Sequence, residues 1–258
     1  MRDMQKLLND IRVYESKELT DLLDATERKS TTKVIPSISA EAKYLPRRIA
    51  LKLRSLGFKV ESGDHFFLYL TPSLGHGEVV PDSTEPHCRA FKCGVAPTRF
   101  WQLSKAAREE YFIDAIFVMM KIAADREKLD VGILQSVRSQ AIEFGEGLQI
   151  VLGKNANSFY ECRVTFTWAE FSTLFCSVLV IGSGEEANLK LLDLEHASDA
   201  FEMVGRISVR KDSLCIFPKK NEVGRCTLVR YAIKLKELGF LSTDARFIQI
   251  PISRILVS

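Results

Sequence analysis

The chain has 258 residues, of which 46% are hydrophobic and 27% are charged, and its formal net charge at pH 7 is +3. This composition excludes an intrinsically disordered protein, which combines few hydrophobic residues with a large net charge. Residues 1–6 include charges and no apolar core, and the longest apolar run, 111–124, is shorter than a membrane span. We therefore expect no secretory signal and no membrane helix. Six cysteines without an export signal predict free thiols and a cytoplasmic location.

The N-terminal part is predicted to join helices to two short strands. Apolar residues at helical spacing predict helical structure over 3–27, with Ser16 as an N-cap between two helices. An amphipathic helix over 45–56 follows, and strand-like segments at 58–60 and 66–70 come after it.

Residues 71–97 contain four prolines and are predicted to form the longest irregular loop of the chain. The loop also carries residue types that bind zinc, namely His76, His87, Cys88 and Cys93. Because the adjacent His87 and Cys88 can rarely both reach one ion, we predict neither a metal nor another cofactor.

The middle of the chain predicts the centre of the fold. Ser104 is expected to cap a long helix over 105–128, which is apolar nearly all round and therefore buried. A second helix is predicted over 133–143. Strands at 148–152 and 160–168 are expected to form a hairpin, because alternating apolar and polar residues indicate a half-buried strand.

The C-terminal part is predicted to alternate between helices and strands. Helices are expected over 185–204 and 228–238, and the strands at 206–210 and 214–217 suit a second hairpin. Two further strands are predicted at 177–181 and 247–252. The predicted fold class is α+β, with antiparallel hairpins packed against helices around the buried helix 105–128. We expect either two parts, residues 1–97 and 98–258, or one continuous domain.

Two segments of the chain resemble each other. Residues 48–58 and 230–240 are identical at seven of eleven positions, and both end in Leu-Gly-Phe. Gly57 suits a left-handed C-cap, and an apolar residue just beyond such a glycine is a common way to end a helix. The similarity therefore indicates either an internal α/β repeat or two independent uses of the same cap.

Positive charge is concentrated at the C-terminal end. Residues 205–258 contain eleven Lys or Arg and four Asp or Glu, a net charge of +7, so residues 1–204 carry −4. This asymmetry suggests an anionic partner such as nucleic acid or an acidic protein surface. The candidate contact residues are Lys219, Lys220, Arg230 and Lys234. Arg230 and Lys234 would share one helix face, as would Arg48 and Lys52. The helix 45–56 followed by two strands is also similar to the helix and two-stranded wing of winged-helix nucleic-acid binders.

Residues 182–187 match the Gly-x-Gly-x-x-Ala pattern of dinucleotide-binding turns. Such a turn presents a bare helix N-terminus to a pyrophosphate. Here Glu185 and Glu186 would lie in that first turn and repel the phosphates, so we interpret the segment as a structural turn.

A histidine follows the first Leu-Gly-Phe sequence. The segment Ser62-Gly-Asp-His65-Phe-Phe67 after Gly57-Phe58 resembles the helix, Gly-Phe, hairpin and histidine pattern of the small HicA-type RNA-cleaving toxins. The resemblance covers a short part of the chain, and Ala245 takes the place of the histidine in the second copy. It implies that His65 could act as a general base on RNA.

Arg99, Phe100 and Trp101 are the other candidate contact residues, because an exposed aromatic beside an arginine makes a good interface anchor. The sequence contains no nucleophile elbow, P-loop, kinase or zinc-protease motif. We therefore predict a non-enzymatic cytosolic protein that recognises another macromolecule, for instance a bacterial immunity- or antitoxin-type inhibitor. The alternatives are a nucleic-acid-binding protein that uses the basic C-terminal region, and a divergent hydrolase or nuclease with a histidine near the loop 71–97.

Overall fold

A computed structural model of the chain describes residues 6–27, 43–61, 63–82, 89–210, 213–217 and 219, and the backbone of 231–234. The protein has an α+β fold, as the sequence predicts. Its residues form two compact units, Met1–Leu148 and Gln149–Ser258, so the division falls later in the chain than the one expected at residue 97.

The first unit contains a four-stranded sheet and a two-stranded one. The strands are β1 (Lys6–Leu7), β2 (Asp10–Glu15), β3 (Lys59–Val60), β4 (His65–Thr71), β5 (Val79–Pro81) and β6 (Arg89–Gly94). β1 pairs with β3 in antiparallel fashion, and the larger sheet has the order β2-β4-β6-β5. Within it, β2, β4 and β6 run parallel, and only β5 is antiparallel to its neighbour.

Helices pack on one face of this sheet. The described helices of the unit are α1 (Lys17–Glu27), α2 (Leu45–Ser55), α3 (Pro97–Trp101), α4 (Lys105–Glu127) and α5 (Val131–Phe144). One hydrophobic cluster joins Phe66, Leu68 and Leu70 of β4 to the buried residues of α2, α4 and α5. Nine residues of α4 are buried, which confirms the predicted buried central helix.

Local signals in the sequence place the helix ends correctly. Ser16 Oγ accepts a hydrogen bond from the Leu19 amide at 3.2 Å, and Ser104 Oγ accepts one from the Ala107 amide at 3.2 Å. Gly57 has φ +79°, the left-handed conformation expected beyond the end of α2.

Three predictions for this unit are wrong. Residues 6–15 form strands rather than a helix, because β2 alternates a core side with an outer side at period two. The segments 58–60 and 66–70 form no hairpin or wing, since β3 pairs with β1 while β4 lies between β2 and β6. The expected loop 71–97 contains β5 and β6, and β6 is a central strand of the sheet.

The second unit is built from antiparallel strands. They are β7 (Gln149–Ala156), β8 (Tyr160–Thr167), β9 (Ser172–Val180), β10 (Glu186–Leu194), β11 (Arg206–Arg210), β12 (Ser213–Phe217) and β13 (Tyr231–Lys234), with a short helix α6 (Asp199–Met203). The sheet orders are β10-β9-β8-β7 and β11-β12-β13. Both predicted hairpins, β7–β8 and β11–β12, are confirmed.

Both helices predicted for this unit need correction. Nine of the twenty residues in 185–204 form the strand β10, in which Ala187, Leu189 and Leu191 are buried in alternation, and only α6 is helical. Pairing with β9 overrides the helix propensity of this Leu-, Glu- and Lys-rich segment. Within 228–238, the described residues form the strand β13, whereas the matching positions in 48–58 lie in α2. The internal repeat is therefore unconfirmed. The strand predicted at 247–252 lies outside the described residues.

The described cysteines are free thiols, as predicted. Cys93, Cys162 and Cys176 are buried and Cys215 is half-buried, while Cys88 and Cys226 lie outside the described residues. None of the helices in the described part of the chain is long and apolar enough to cross a membrane.

Candidate functional site

The outer side of the four-stranded sheet in the first unit carries a row of aromatic rings. Because side chains alternate along a strand, the residues between the core positions Phe66, Leu68 and Leu70 point to the opposite side. We call this surface the aromatic face and define it by Arg12 and Tyr14 of β2, His65, Phe67 and Tyr69 of β4, and Lys92 of β6.

Parallel pairing brings the rings of the aromatic face together. Tyr14 lies opposite Tyr69 in the register of β2 and β4, and their ring centroids are 5.8 Å apart at an interplanar angle of 26°. The centroids of Tyr14 and Phe67 are 6.2 Å apart at 22°, and those of His65 and Phe67 are 6.5 Å apart at 14°. The four rings thus form one continuous row of nearly parallel planes.

Much of this surface is accessible. Tyr14 is 40% exposed, and 50% of the Arg12 side chain and 42% of the Lys92 side chain are accessible. Phe67 and Tyr69 are half-buried. Parallel strands are ordinarily buried on both faces, so partly exposed aromatic rings on two parallel strands are unusual for this kind of sheet.

Arginines gather at the end of the aromatic face where β2 and β4 begin. The buried carboxylate of Asp10 lies 2.7 Å from Arg12 Nε and 3.1 Å from Arg47 Nη1. Arg47 Nη1 also donates to the Asn9 carbonyl at 2.6 Å, and Arg54 Nη1 donates to Asn9 Oδ1 at 3.0 Å. The hydrogen bond to Asp10 raises the pKa of Arg12 above its usual value. Two guanidinium groups therefore contact the Asp10 carboxylate, and a third, that of Arg54, contacts the neighbouring Asn9 side chain.

His65 closes the row at the same end. Its Nε2 atom lies 3.1 Å from the Asn9 side-chain nitrogen and 3.8 Å from Asp64 Oδ1. An amide nitrogen can only donate, so His65 Nε2 accepts this hydrogen bond and its lone pair is engaged. This arrangement positions the ring beside Phe67; it leaves Nε2 poorly suited to the role of general base that the toxin-like pattern implied.

The opposite end of the parallel strands holds a second polar cluster. The His76 ring stacks on Tyr111 at 4.7 Å between centroids, and His76 Nδ1 accepts a hydrogen bond from the Ala96 amide at 3.2 Å. Tyr111 donates its hydroxyl to the Gly94 carbonyl at 2.6 Å and lies 3.2 Å from Cys93 Sγ. These contacts fasten the segment after β4 to the end of β6.

The titratable groups of this second cluster are held neutral. Burial raises the pKa of the Cys93 thiol to about 11, and burial with the neighbouring thiol also raises the pKa of Tyr111. Burial and the nearby charge of Arg99 lower the pKa of His76. A thiol of this kind is not an activated nucleophile, and the His76 nitrogen that could accept a proton already accepts the Ala96 amide. The arrangement is that of a structural network.

Of the four residues in the loop 71–97 that were weighed as zinc ligands, His76 and Cys93 are described, and both lie in the second polar cluster. His65 lies at the first residue of β4 and His76 beyond its last, while His87 and Cys88 lie outside the described residues. No group of three or more His, Cys, Asp or Glu side chains in the described part of the chain could hold a metal ion.

The predicted contact residues next to α4 fall into different environments. Phe100 is fully buried, so its prediction as a contact residue needs correction: the side chain belongs to the core. Trp101 is half-buried beside the guanidinium of Arg108, whose central carbon is 5.6 Å from the ring centroid. Arg99 is exposed.

In the described part of the chain, the predicted basic residues do not form an exposed stripe along a helix. Arg48 is buried and Lys52 half-buried in α2, and burial lowers the pKa of both side chains. Lys234 belongs to the strand β13, so it shares no helix face with Arg230. Lys219 is exposed, with Nζ 5.9 Å from the Phe201 ring centroid, and Lys220 and Arg230 lie outside the described residues.

The glycine pattern at 182–187 is a turn between strands, as we interpreted it. Gly182 and Gly184 have φ values of +107° and +75°, and β10 begins at Glu186. A strand rather than a helix follows this turn, so the turn lacks the helix N-terminus on which the dinucleotide-binding pattern depends.

Sequence reasoning missed the aromatic face because the region around Tyr14 was interpreted as helical. The sequence contained a signal for a strand: Arg12 and Tyr14 alternate with Ile11 and Val13, which is the pattern of a strand with one solvent-exposed side. The pairing of this strand with β4 depends on the parallel register and could not be predicted from either segment alone.

No protein-family model, no curated protein and no solved structure matches this chain. The interpretation of the aromatic face therefore rests on its own geometry and chemistry.

Proposed function

We propose that this protein is a non-enzymatic binding protein that recognises another macromolecule through the aromatic face. The observation that supports the proposal is the accessible row of rings formed by Tyr14, Tyr69, Phe67 and His65, flanked by Arg12. Tyrosine and arginine are the residue types that most often dominate binding energy at macromolecular interfaces, because they combine a large planar contact with polar groups.

The sheet supports this role by holding the rings in place before binding. The rings project from paired strands whose other side is the fully buried row Phe66, Leu68 and Leu70. A rigid platform loses little conformational entropy on binding, which favours affinity. We propose an immunity- or antitoxin-type inhibitor acting in the cytoplasm as one form of such a binding protein.

Co-purification of tagged chains from the cells that encode the protein tests this function. The variants are the wild type, the double variant Tyr14→Ala/Tyr69→Ala, and the control Phe144→Ala. Phe144 is an exposed aromatic at the end of α5, 51% accessible, and it lies outside the aromatic face. Bound proteins are quantified by mass spectrometry and bound nucleic acid by sequencing, and thermal unfolding checks that each variant is folded.

We expect at least one bound species to fall about tenfold or more with the double variant, which is the usual effect of removing two anchor residues. The same species stays at its wild-type level with Phe144→Ala. Equal recovery of every bound species from a folded double variant would contradict the proposal.

A further inference from the structure

We propose that the occupant of the aromatic face is a single strand of nucleic acid. This inference rests on the proposed function and specifies its partner. It differs from the sequence expectation, which assigned nucleic-acid contact to the basic residues of the C-terminal region.

The rings suit unpaired bases. Flat aromatic side chains stack on a base whatever its identity, and this stacking is the main contact of many proteins that bind single strands. The Tyr14 ring centroid lies 6.2 Å from that of Phe67 and 5.8 Å from that of Tyr69, on two adjacent strands. Open sheet faces with aromatic side chains hold two or three bases in RNA-binding modules. In a duplex the bases are already stacked on each other and offer only their edges.

Positive groups are placed at both margins of the rings. Arg12, Arg47 and Arg54 lie at one end, and Lys92 lies across β4 from Tyr14, opposite Tyr69. Phosphate groups of a strand that crosses the rings would meet these cations.

Acidic groups are also present at both margins. Asp10 is buried against Arg12 and Arg47, Asp64 lies beside His65, and Asp82 lies 3.6 Å from Lys92. At the arginine end, three guanidinium groups exceed the two carboxylates Asp10 and Asp64. Since Arg12 keeps half of its side chain accessible, that end presents net positive charge to the surface.

The face is less suited to a protein helix. Amphipathic helices dock an apolar face into a hydrophobic groove. On this side of β2 and β4, the polar or charged residues Asp10, Arg12 and His65 lie among the rings of Tyr14, Phe67 and Tyr69, so the surface is not continuously apolar. The chemistry of the aromatic face thus favours a negatively charged partner with planar, unpaired bases.

Fluorescence anisotropy with the full chain tests the inference. The probes are fluorescein-labelled oligo-uridine and oligo-thymidine of about 12 nucleotides and a duplex of the same length, at about 50 mM and about 200 mM salt. The test variants are Tyr14→Ala and Arg12→Gln, and Tyr14→Phe keeps the ring as a check on folding. The matched controls are Phe144→Ala and Arg138→Gln. Arg138 forms an equally short ion pair, 2.6 Å from Asp114, between α5 and α4.

We expect single strands to bind more tightly than the duplex. Tyr14→Ala should weaken binding about tenfold, and Tyr14→Phe should stay near the wild type, because stacking needs only the ring. Arg12→Gln should weaken binding and reduce its salt dependence, whereas both controls should stay near the wild type.

Several outcomes would overturn the inference. They are the absence of single-strand binding at the lower salt concentration, equal affinity for the duplex, and binding that Tyr14→Ala leaves unchanged. The last result would instead locate nucleic-acid contact elsewhere, for example in the basic region 205–258. If oligonucleotides do not bind but a co-purified protein is lost with Tyr14→Ala/Tyr69→Ala, the proposed function stands and the partner is a protein. If neither is observed, both proposals are wrong.

Discussion

Burial changes the pKa of single side chains in this protein, as its buried thiols show. Cys93 lies inside the first unit against Tyr111, and burial raises the pKa of its thiol to about 11. In the second unit, burial likewise raises the pKa of Cys162 to about 12. Each thiol stays protonated in the folded chain at pH values where it ionises in the unfolded chain, so folding and proton binding are linked.

The linkage predicts how stability depends on pH. The ordinary pKa of the thiol is 9.0, so below that pH Cys93 is protonated in both the folded and the unfolded chain. As the pH rises from 9.0 to about 11, the unfolded chain releases the proton while the folded chain keeps it, and the free energy of unfolding falls. For Cys93 alone we expect a fall of about 2 kcal/mol.

Urea unfolding of the wild type and of Cys93→Ala, at about pH 8 and again at about pH 11, measures this contribution. The stability difference between the two proteins should shrink at the higher pH. A difference that is the same at both pH values would contradict the assigned protonation of Cys93. Groups that do not contact Cys93 titrate alike in both chains and cancel in the comparison. Tyr111 contacts the thiol, so the same comparison is made in a Tyr111→Phe background to remove its contribution.

The connection between β4 and β6 depends on a close backbone approach. Gly77 donates its amide to the Gly94 carbonyl at 2.8 Å, and Gly94 donates to the Glu78 carbonyl at 2.8 Å. A Cβ atom on Gly94 would lie 1.9 Å from the carbonyl oxygen of Gly75. Only glycine fits there without moving the segment 72–78 or the end of β6.

Substitution of Gly94 should therefore lower the stability of the first unit. We expect Gly94→Ala to lower the free energy of unfolding by about 2 kcal/mol or more, as other forced overpacking does. Gly147→Ala is the control, since a Cβ there meets no atom within 4 Å and φ at Gly147 is not positive. Chemical unfolding of the three chains gives the comparison, and equal stability of Gly94→Ala and Gly147→Ala would show that the close approach is absent.

Elements with local signals could be predicted, and elements defined by distant pairing could not. Ser104 at the start of α4 and the alternating residues of β8 determine those elements from within the segment. In contrast, β10 has the composition of a helix, and β2 follows residues with helical spacing; both are strands because neighbours far along the chain pair with them. The aromatic face falls in the second class, because Tyr14 and Tyr69 meet only through the parallel register.

At the scale of the whole molecule, the aromatic face is the surface through which we propose that the protein binds a macromolecule. The net charge of +3 is small, so no strong overall charge marks a binding surface, and a cluster of rings with half-exposed arginine is the most distinctive surface in the described part of the first unit. The aromatic face is assembled from distant parts of the chain, since its rings come from β2 and β4 and its cations also come from α2 and β6.

Site-specific photo-crosslinking in the cells that encode the protein tests this claim most directly. The photoreactive residue p-benzoylphenylalanine replaces either Tyr14 on the aromatic face or Phe144, which is comparably exposed at the end of α5. After irradiation, adducts are separated by mass and treated with nuclease or protease to identify their class. We predict a discrete adduct from position 14, removed by nuclease, and none from position 144. The absence of any adduct from position 14 above the level at position 144 would contradict the account.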